Sequence, residues 1–460
     1  MNFRSQTSCN EVKADKTEIT KGTDRKEVPG NSVDVLILGG GLAGLGAALT
    51  TKQSEKCSYL LLEAQLKAGG RANTMTLQNR EIDINHNSSV DGSDNEELFV
   101  DAGAQWLHGK HNQLYDLAKK YDLLSSEQSE EGLGAYLCEN GDEIDSYFVK
   151  KIDFLIGEIL GECEQYARID DILMQDTYPR SVEHFLREKF QQYLKTIKCP
   201  NEKQLACNLF DWHLRFQVID NSCLTLDHVS AKFWGKYSYN GESCQDHYNF
   251  RRGFSSAIES MCREIDEKYI HYNKEVLQIS VHQRNGRPSN ERISVKCSDG
   301  SIYHANHVLV TFSLGVLKQQ HAKMFHPSLP SRIERAINDI GFQTINKLFI
   351  QFDRPWWGDL DGIQVIFKSN NLEVSPVRRA VSRCDDDFHL DSFQYNHWTR
   401  HLTGFDVMKP GPSNTLLGWV GGQGAIDMEE MSDEQIIDDC MALLSQFTRI
   451  TIPAPIRYYW

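Results

Sequence analysis

A chain of 460 residues has room for two or three folding units, and 40% hydrophobic with 25% charged residues is an ordinary globular balance. Acidic side chains outnumber basic ones by 64 to 49, a net charge of -15, which argues against nucleic acid and suits a cationic ligand. The 12 cysteines are scattered without a C-x-x-C pair, which fits neither a zinc site nor a disulfide framework. No apolar run is long enough to cross a bilayer; with the cysteine usage pointing to a reduced compartment, the expectation is a soluble, intracellular chain, cytoplasmic with a peroxisomal or nuclear place left open, and monomeric.

Residues 1–31 form a polar, Lys/Glu/Thr-rich tail without the hydrophobic centre of a secretory signal, and disorder is expected there. Order begins at Val33-Asp34-Val35-Leu36-Ile37-Leu38, a continuous apolar run of the kind a strand buried on both faces needs. It breaks into Gly39-x-Gly41-x-x-Gly44, a small-residue helix from Leu45 to about Lys52, and a second strand, Tyr59 to Leu62, ending in Glu63. Such glycines let the backbone turn tightly and approach a pyrophosphate at the positive end of a helix, while the acid holds a ribose hydroxyl. The unit suits NAD or FAD.

A polar stretch from Asn85 to Glu97 reads as a surface loop. Between Asn112 and Phe250 the chain leans helical, with charge-laced stretches such as Glu183 to Lys198. Strand patterns return at Ile293–Cys297, at His307–Thr311 after an Asp299-Gly300 turn, and at Ile345–Phe352; a helix-like segment covers Ser432 to Phe447. Two domains woven from alternating segments are therefore expected. The dinucleotide-binding one takes 32–111, 249–332 and 415–460. The other takes 112–248, mainly helical, and 333–414, rich in strand.

Glu63-Ala64-x-x-Lys67-x-Gly69-Gly70-Arg71 decides between the dinucleotides in favour of FAD, since Gly70 permits close approach and Arg71 offers a forked cation to a diphosphate. At this point the chain resembles the flavin amine oxidases, whose pattern has arginine where Lys67 stands. Val100-Asp101-Ala102-Gly103-Ala104-Gln105-Trp106-Leu107-His108-Gly109 is similar to the flavin-facing segment of polyamine and spermine oxidases. The resemblance assigns Ala104, Gln105 and Trp106 to the flavin and His108 to substrate. From its residues alone, Ile345 to Phe352 is an amphipathic strand whose Lys347 would point to water. Gly341-Phe342-x-Thr344-Ile345-Asn346-Lys347, followed by Pro355-Trp356-Trp357, nevertheless looks like the family's flavin-adjacent lysine segment.

Arg252-Gly253-Phe254, Asn273-Lys274-Glu275-Val276, Val310 to Lys318 (with Ser313 where proline is common) and Trp419-Val420-Gly421-Gly422 extend the likeness from Val33 to Trp460. Val276 is the residue whose backbone would meet adenine. The resemblance implies an α/β fold in which a Rossmann-like FAD/NAD(P)-binding domain is interleaved with an α+β substrate-binding domain, and a non-covalent FAD. It also implies O2-dependent oxidation of a polyamine to an aldehyde and a shorter amine with release of hydrogen peroxide. Glu127, Glu130 and Glu131 are candidate holders of distal ammonium groups. Beyond Ile456-Arg457-Tyr458-Tyr459-Trp460 the family carries a glycine–glutamate motif and a helix aimed at the flavin, so the resemblance implies a chain that lacks this segment. The rival readings are an oxidase of another amine, such as a monoamine or a lysine tail, and a flavoprotein-like chain without activity.

Overall fold

A computed structural model describes residues 30–77, 98–168, 181–236, 246–284, 287–369 and 397–460. The expected tail and the polar stretch at 85–97 lie outside the described residues, apart from the tail's last two positions. Two larger sheets organise the rest. The first has seven strands in the order Phe325–His326, Val276–Arg284, Arg287–Cys297, Ile302–Val310, Ser32–Leu38, Tyr59–Leu62 and Ile270–His271. Its centre is parallel: Ile37 lies beside Leu61 on one side and Leu309 on the other.

The unbroken apolar run at the start of this sheet now has its reason. Ile37 and Leu61 pack on one face against Leu45 and Ala48 of the helix Leu42–Ser54 and Ile258 of the helix Ser255–Ile265. Leu36, Leu38, Leu60 and Leu62 pack on the other face against Val276, Val295 and Tyr303. A strand covered on both sides has no solvent face and so no alternation. The helix begins at Leu42, with Gly41 as its cap, three residues before the sequence pattern becomes recognisable.

The second sheet has six strands in the order Arg457–Tyr459, Asn346–Gln351, Thr415–Val420, Leu402–Val407, Gly362–Ile366 and Ala135–Cys138. The strand Asn346–Gln351 is paired on both sides and buried almost throughout, so the amphipathic strand expected from its sequence is corrected. Leu348 and Ile350 meet Ile436, Cys440 and Leu444 of the helix Asp433–Thr448, whose start is closed by a Ser432–Gln435 capping box. Phe349 turns the other way, onto Val100, Met408 and Leu417. Thr415–Val420 and Arg457–Tyr459, from the stretch assigned to the dinucleotide-binding domain, hydrogen-bond into this sheet because both pair with Asn346–Gln351.

Three helices, Ser146–Arg168, Val182–Leu194 and Pro200–Asp220, close over a core that includes Ile152, Phe190 and Phe210. The last of them is tied to the second sheet by Trp212, which donates to the Thr403 carbonyl, and by Arg215, which donates to those of Leu402 and Val365.

Candidate active site

At the carboxyl end of the first sheet the glycine turn is held in place by backbone. Gly39 donates to the Leu62 carbonyl at 2.8 Å and Thr311 to that of Leu38 at 2.9 Å. The three glycines have different reasons to be glycine. Gly39 has φ +108°, a conformation L side chains rarely adopt. A Cβ on Gly44 would lie 1.9 Å from the Gly39 carbonyl oxygen, whereas one on Gly41 would meet nothing within 4 Å. Gly41 therefore faces open space at the start of a helix whose cap makes no side-chain hydrogen bond, where amide N–H groups face outward.

The second glycine turn is docked onto the first. Gly69 donates to the Gly40 carbonyl at 2.9 Å and bridges Gly41, and Gly70 lies close by. Glu63, 8% exposed, sits beneath both turns. Its Oε2 accepts from the Gly40 amide at 2.6 Å and its Oε1 from Gln65 at 2.8 Å, leaving each oxygen a second lone pair for a hydroxyl. Lys274 donates to the Glu63 carbonyl, which brings the strand beginning at Val276 alongside. Arg71 is exposed, and its carbonyl accepts from Ala104 at 3.0 Å, linking this cradle to the next segment. Lys67 donates to Asn73 Oδ1 at 2.6 Å. Outward amides, open space over Gly41, a buried acid and a nearby arginine fit a dinucleotide: the amides and Arg71 would hold its diphosphate and Glu63 its ribose.

The segment from Asp101 to His108 runs from this cradle to the second sheet, and Lys347 reaches it from the opposite side. The Lys347 Nζ donates to the carbonyls of Asp101 and Gly103 and to Gln105 Oε1, each at 2.8 Å, and lies 4.4 Å from the Trp419 ring centroid. The side chain is 6% exposed, and burial pulls its pKa down to about 8 against the attraction of Asp101 and Glu131. Burial pushes the Asp101 carboxyl up, while hydrogen bonds from Thr74 and the Phe254 amide oppose it.

Trp106 stacks on Trp419 with ring centroids 5.8 Å apart and planes 15° from parallel. His108 meets His247 edge to face at 4.6 Å across the short ribbon Leu107–His108/His247–Tyr248. The pKa of His108 is lowered by burial and by His247. Behind Trp419 lies a small cavity whose walls include Glu131, Asp220 and Asp406. Burial raises the Glu131 carboxyl to about 7, helped by Asp220, and Asp406 to about 8, helped by Glu131. Asp220 is also raised by burial. Asp406 Oδ1 takes all three of its donors, from Gly132, Leu133 and Gln364 Nε2, which leaves Oδ2 to carry the proton. The Trp419 indole N–H is buried and meets no acceptor among the described residues.

Ala104, Gln105, Trp106, His108 and Lys347 thus come together, and Gly39, Gly41, Gly44, Glu63, Gly70, Arg71 and Val276 gather around the cradle. Of the three glutamates, Glu131 lines the acidic cavity, whereas Glu127 and Glu130 are exposed. Asp220, Asp406, His247, Ser129 and Asn249 were not foreseen. Single polar residues at a helix end, in a strand or in loops leave no periodic signal. Asp220, the last residue of the observed helix Pro200–Asp220, lies within the long stretch read as helical, where no helix end was marked.

A dinucleotide cradle joined to a buried lysine and an aromatic pair defines a flavin-binding oxidoreductase fold. Residues 42–459 match the family model of flavin containing amine oxidoreductases, and the chain belongs to that family, with FAD as its cofactor. It is 29% identical to the peroxisomal N(1)-acetyl-spermine/spermidine oxidase of Bos taurus, over 94% of this chain and 81% of that one. A probable polyamine oxidase 5 of Arabidopsis thaliana is 25% identical over 90% and 76%. Human lysine-specific histone demethylase 2 is 23% identical over 96% of this chain but only 47% of its own. A redesigned putrescine oxidase shares the fold with a TM-score of 0.57 at 15% identity, covering 93% of this chain and 84% of that one. Among the described residues no helix is long and apolar enough to cross a membrane.

Proposed function

We propose that this amine oxidoreductase oxidises polyamines: spermine, spermidine or an acetylated form. The observation that carries the reading is the cavity walled by Glu131, Asp220 and Asp406 beside the Trp106–Trp419 pair and Lys347. Three carboxyl groups crowded out of water are poorly ionised when alone, and a multivalent cation is the ligand that relieves them. The Bos taurus and Arabidopsis thaliana relatives, named for polyamine substrates, support the same class.

When bound, FAD would be held by the Gly41 cradle, Arg71 and Glu63 and would supply a two-electron acceptor. In this reading the residues from Ala104 to Trp106 border it, and the aromatic pair excludes water from the reacting carbon and nitrogen. The acidic cavity, about 10 Å³ in volume, has room for a single distal ammonium head, and His108 with His247 meets the amine nearer the surface. Burial favours the neutral reacting nitrogen, which must present its lone pair. Lys347, whose three protons are taken by the Asp101 and Gly103 carbonyls and Gln105, holds a water at the reacting centre only by giving up one of these bonds. In the net reaction the amine loses two protons and two electrons, water splits the resulting imine into aldehyde and shorter amine, and O2 takes up two protons and two electrons to become H2O2.

Calorimetry of spermine binding in buffers of different ionisation enthalpy at pH 6.5 tests the reading, together with a peroxide assay. The expected result is net proton release on binding, as Glu131 and Asp406 ionise against the ammonium head, with peroxide formed from spermine in excess over a monoamine. Binding without proton release, or a preference for the monoamine, would overturn it.

A further inference from the structure

Ser129 lies in a loop, with no part in the reading above, yet three side chains converge on it. Gln105 Nε2 reaches its Oγ at 3.0 Å, Trp106 Nε1 at 2.7 Å and Asn249 Nδ2 at 3.0 Å. Its own amide and hydroxyl face Asn249 Oδ1, at 2.7 and 3.2 Å. Asn249 is 2% exposed, so these groups must satisfy one another.

The donor inventory, with the distances, sets the directions in this network. Lys347 can only donate, so Gln105 turns its Oε1 to Lys347 and its Nε2 to Ser129. The Trp106 indole can also only donate; it lies nearer the Ser129 hydroxyl, at 2.7 Å, than the Ser129 carbonyl, at 3.3 Å, and with Gln105 it takes both lone pairs of the hydroxyl oxygen. The serine proton then has one destination, Asn249 Oδ1, and Asn249 turns its Nδ2 to the Gln105 carbonyl at 3.4 Å. The Asn249 Nδ2 contact to Ser129 Oγ is a proximity the saturated oxygen cannot use. A one-way chain results: Lys347 to Gln105, Gln105 to Ser129, Ser129 to Asn249.

We propose that Ser129 and Asn249 are positioning residues that lock the Gln105 amide with its oxygen toward Lys347, and through it set how Lys347 holds its protons. The role rests on the reading of Lys347 as a residue at the reacting centre. Ser129 also anchors Trp106, so the lysine and the aromatic pair are registered by one hydroxyl. Charged groups acting on Lys347 are Asp101 and Glu131; the other groups on its amine are backbone carbonyls, the Gln105 amide and the Trp419 ring.

The test is a pH titration of the purified chain labelled with 13C at lysine Cε, with the Lys347 resonance identified by its loss in Lys347→Arg. Ser129→Ala frees the Gln105 amide and removes one acceptor from the ammonium form, so the Lys347 midpoint falls by about one pH unit. Ser129→Thr keeps the hydroxyl and restores it. Asn249→Asp accepts from Ser129 as before but places a negative charge at the end of the chain, so the midpoint rises. This variant decides the matter if Ser129→Ala does not fold. An unmoved midpoint in either Ser129→Ala or Asn249→Asp, or a fall in Ser129→Thr equal to that in Ser129→Ala, overturns the proposal. Full turnover in Lys347→Met would sink the reading of Lys347 while leaving the orientation chain intact.

Discussion

Methionine at position 347 would keep a long unbranched side chain but offer no proton to the Asp101 and Gly103 carbonyls or to Gln105, which the lysine satisfies at 2.8 Å. Buried acceptors left without donors cost about 1–3 kcal/mol each, so Lys347→Met should lower the melting temperature. It should also slow peroxide formation by roughly 10²-fold with little change in the KM for the amine. Steady-state assays and a thermal melt on one preparation check both halves. The lysine could be picked out of the sequence through the motif around it and not through its own pattern. Its burial comes from Trp419 and the Asp101–Gln105 segment, more than 70 and 240 residues away in the chain. No local period can announce such neighbours. Ser129, Asn249 and Asp406 were illegible for the same reason.

The glycine-turn unit behaves differently, because its information is local. Strand, turn, helix and second strand follow one another within 31 residues, from Ser32 to Leu62, and each was readable from its neighbours. What the pattern could not reveal is that its glycines do different jobs. Gly44→Ala would drive a methyl into the Gly39 carbonyl, 1.9 Å from the built Cβ position, and should destabilise the fold by about 1–3 kcal/mol. Gly41→Ala would place its methyl in open space, so the chain should melt as the parent does without cofactor, yet retain much less flavin absorbance after purification. A Gly41→Ala protein with full flavin content would show that the cradle is not where the diphosphate lies. The second sheet was less legible: Thr415–Val420 and Arg457–Tyr459 join it by pairing with Asn346–Gln351, and register between distant strands is not written in either one.

Across the whole molecule, the buried titratable groups should shape stability against pH. Glu131 and Asp406 have folded pKa values of about 7 and about 8, raised from 4.5 and 3.8. Their protonated forms favour the native state, with full effect below the unfolded values and a loss as pH rises through the folded ones. Lys347 is lowered from 10.5 to about 8; its contribution is full above the unfolded value and is lost as pH falls through the folded one. The three together predict a stability trough near pH 8, with each group able to tilt the curve by up to about 1.4 kcal/mol per pH unit. Urea unfolding between pH 5 and 10 should reveal it, and Asp406→Asn should flatten the acid limb while leaving the alkaline limb. A curve that is flat from pH 5 to 8 in the parent would rule out the buried, protonated pair.

Lys347 also joins parts of the molecule that the chain keeps far apart. Its strand belongs to the six-stranded sheet, while the carbonyls it grips follow the ribbon Thr74–Leu77/Leu98–Asp101, beside the cofactor cradle. A lysine in water keeps its proton at neutral pH; this one comes within reach of losing it only when the two halves have closed around it. Assembly and reactivity are thereby interlocked. A half-built chain carries an ordinary ammonium group, and only the closure that buries Lys347 loosens its hold on the proton.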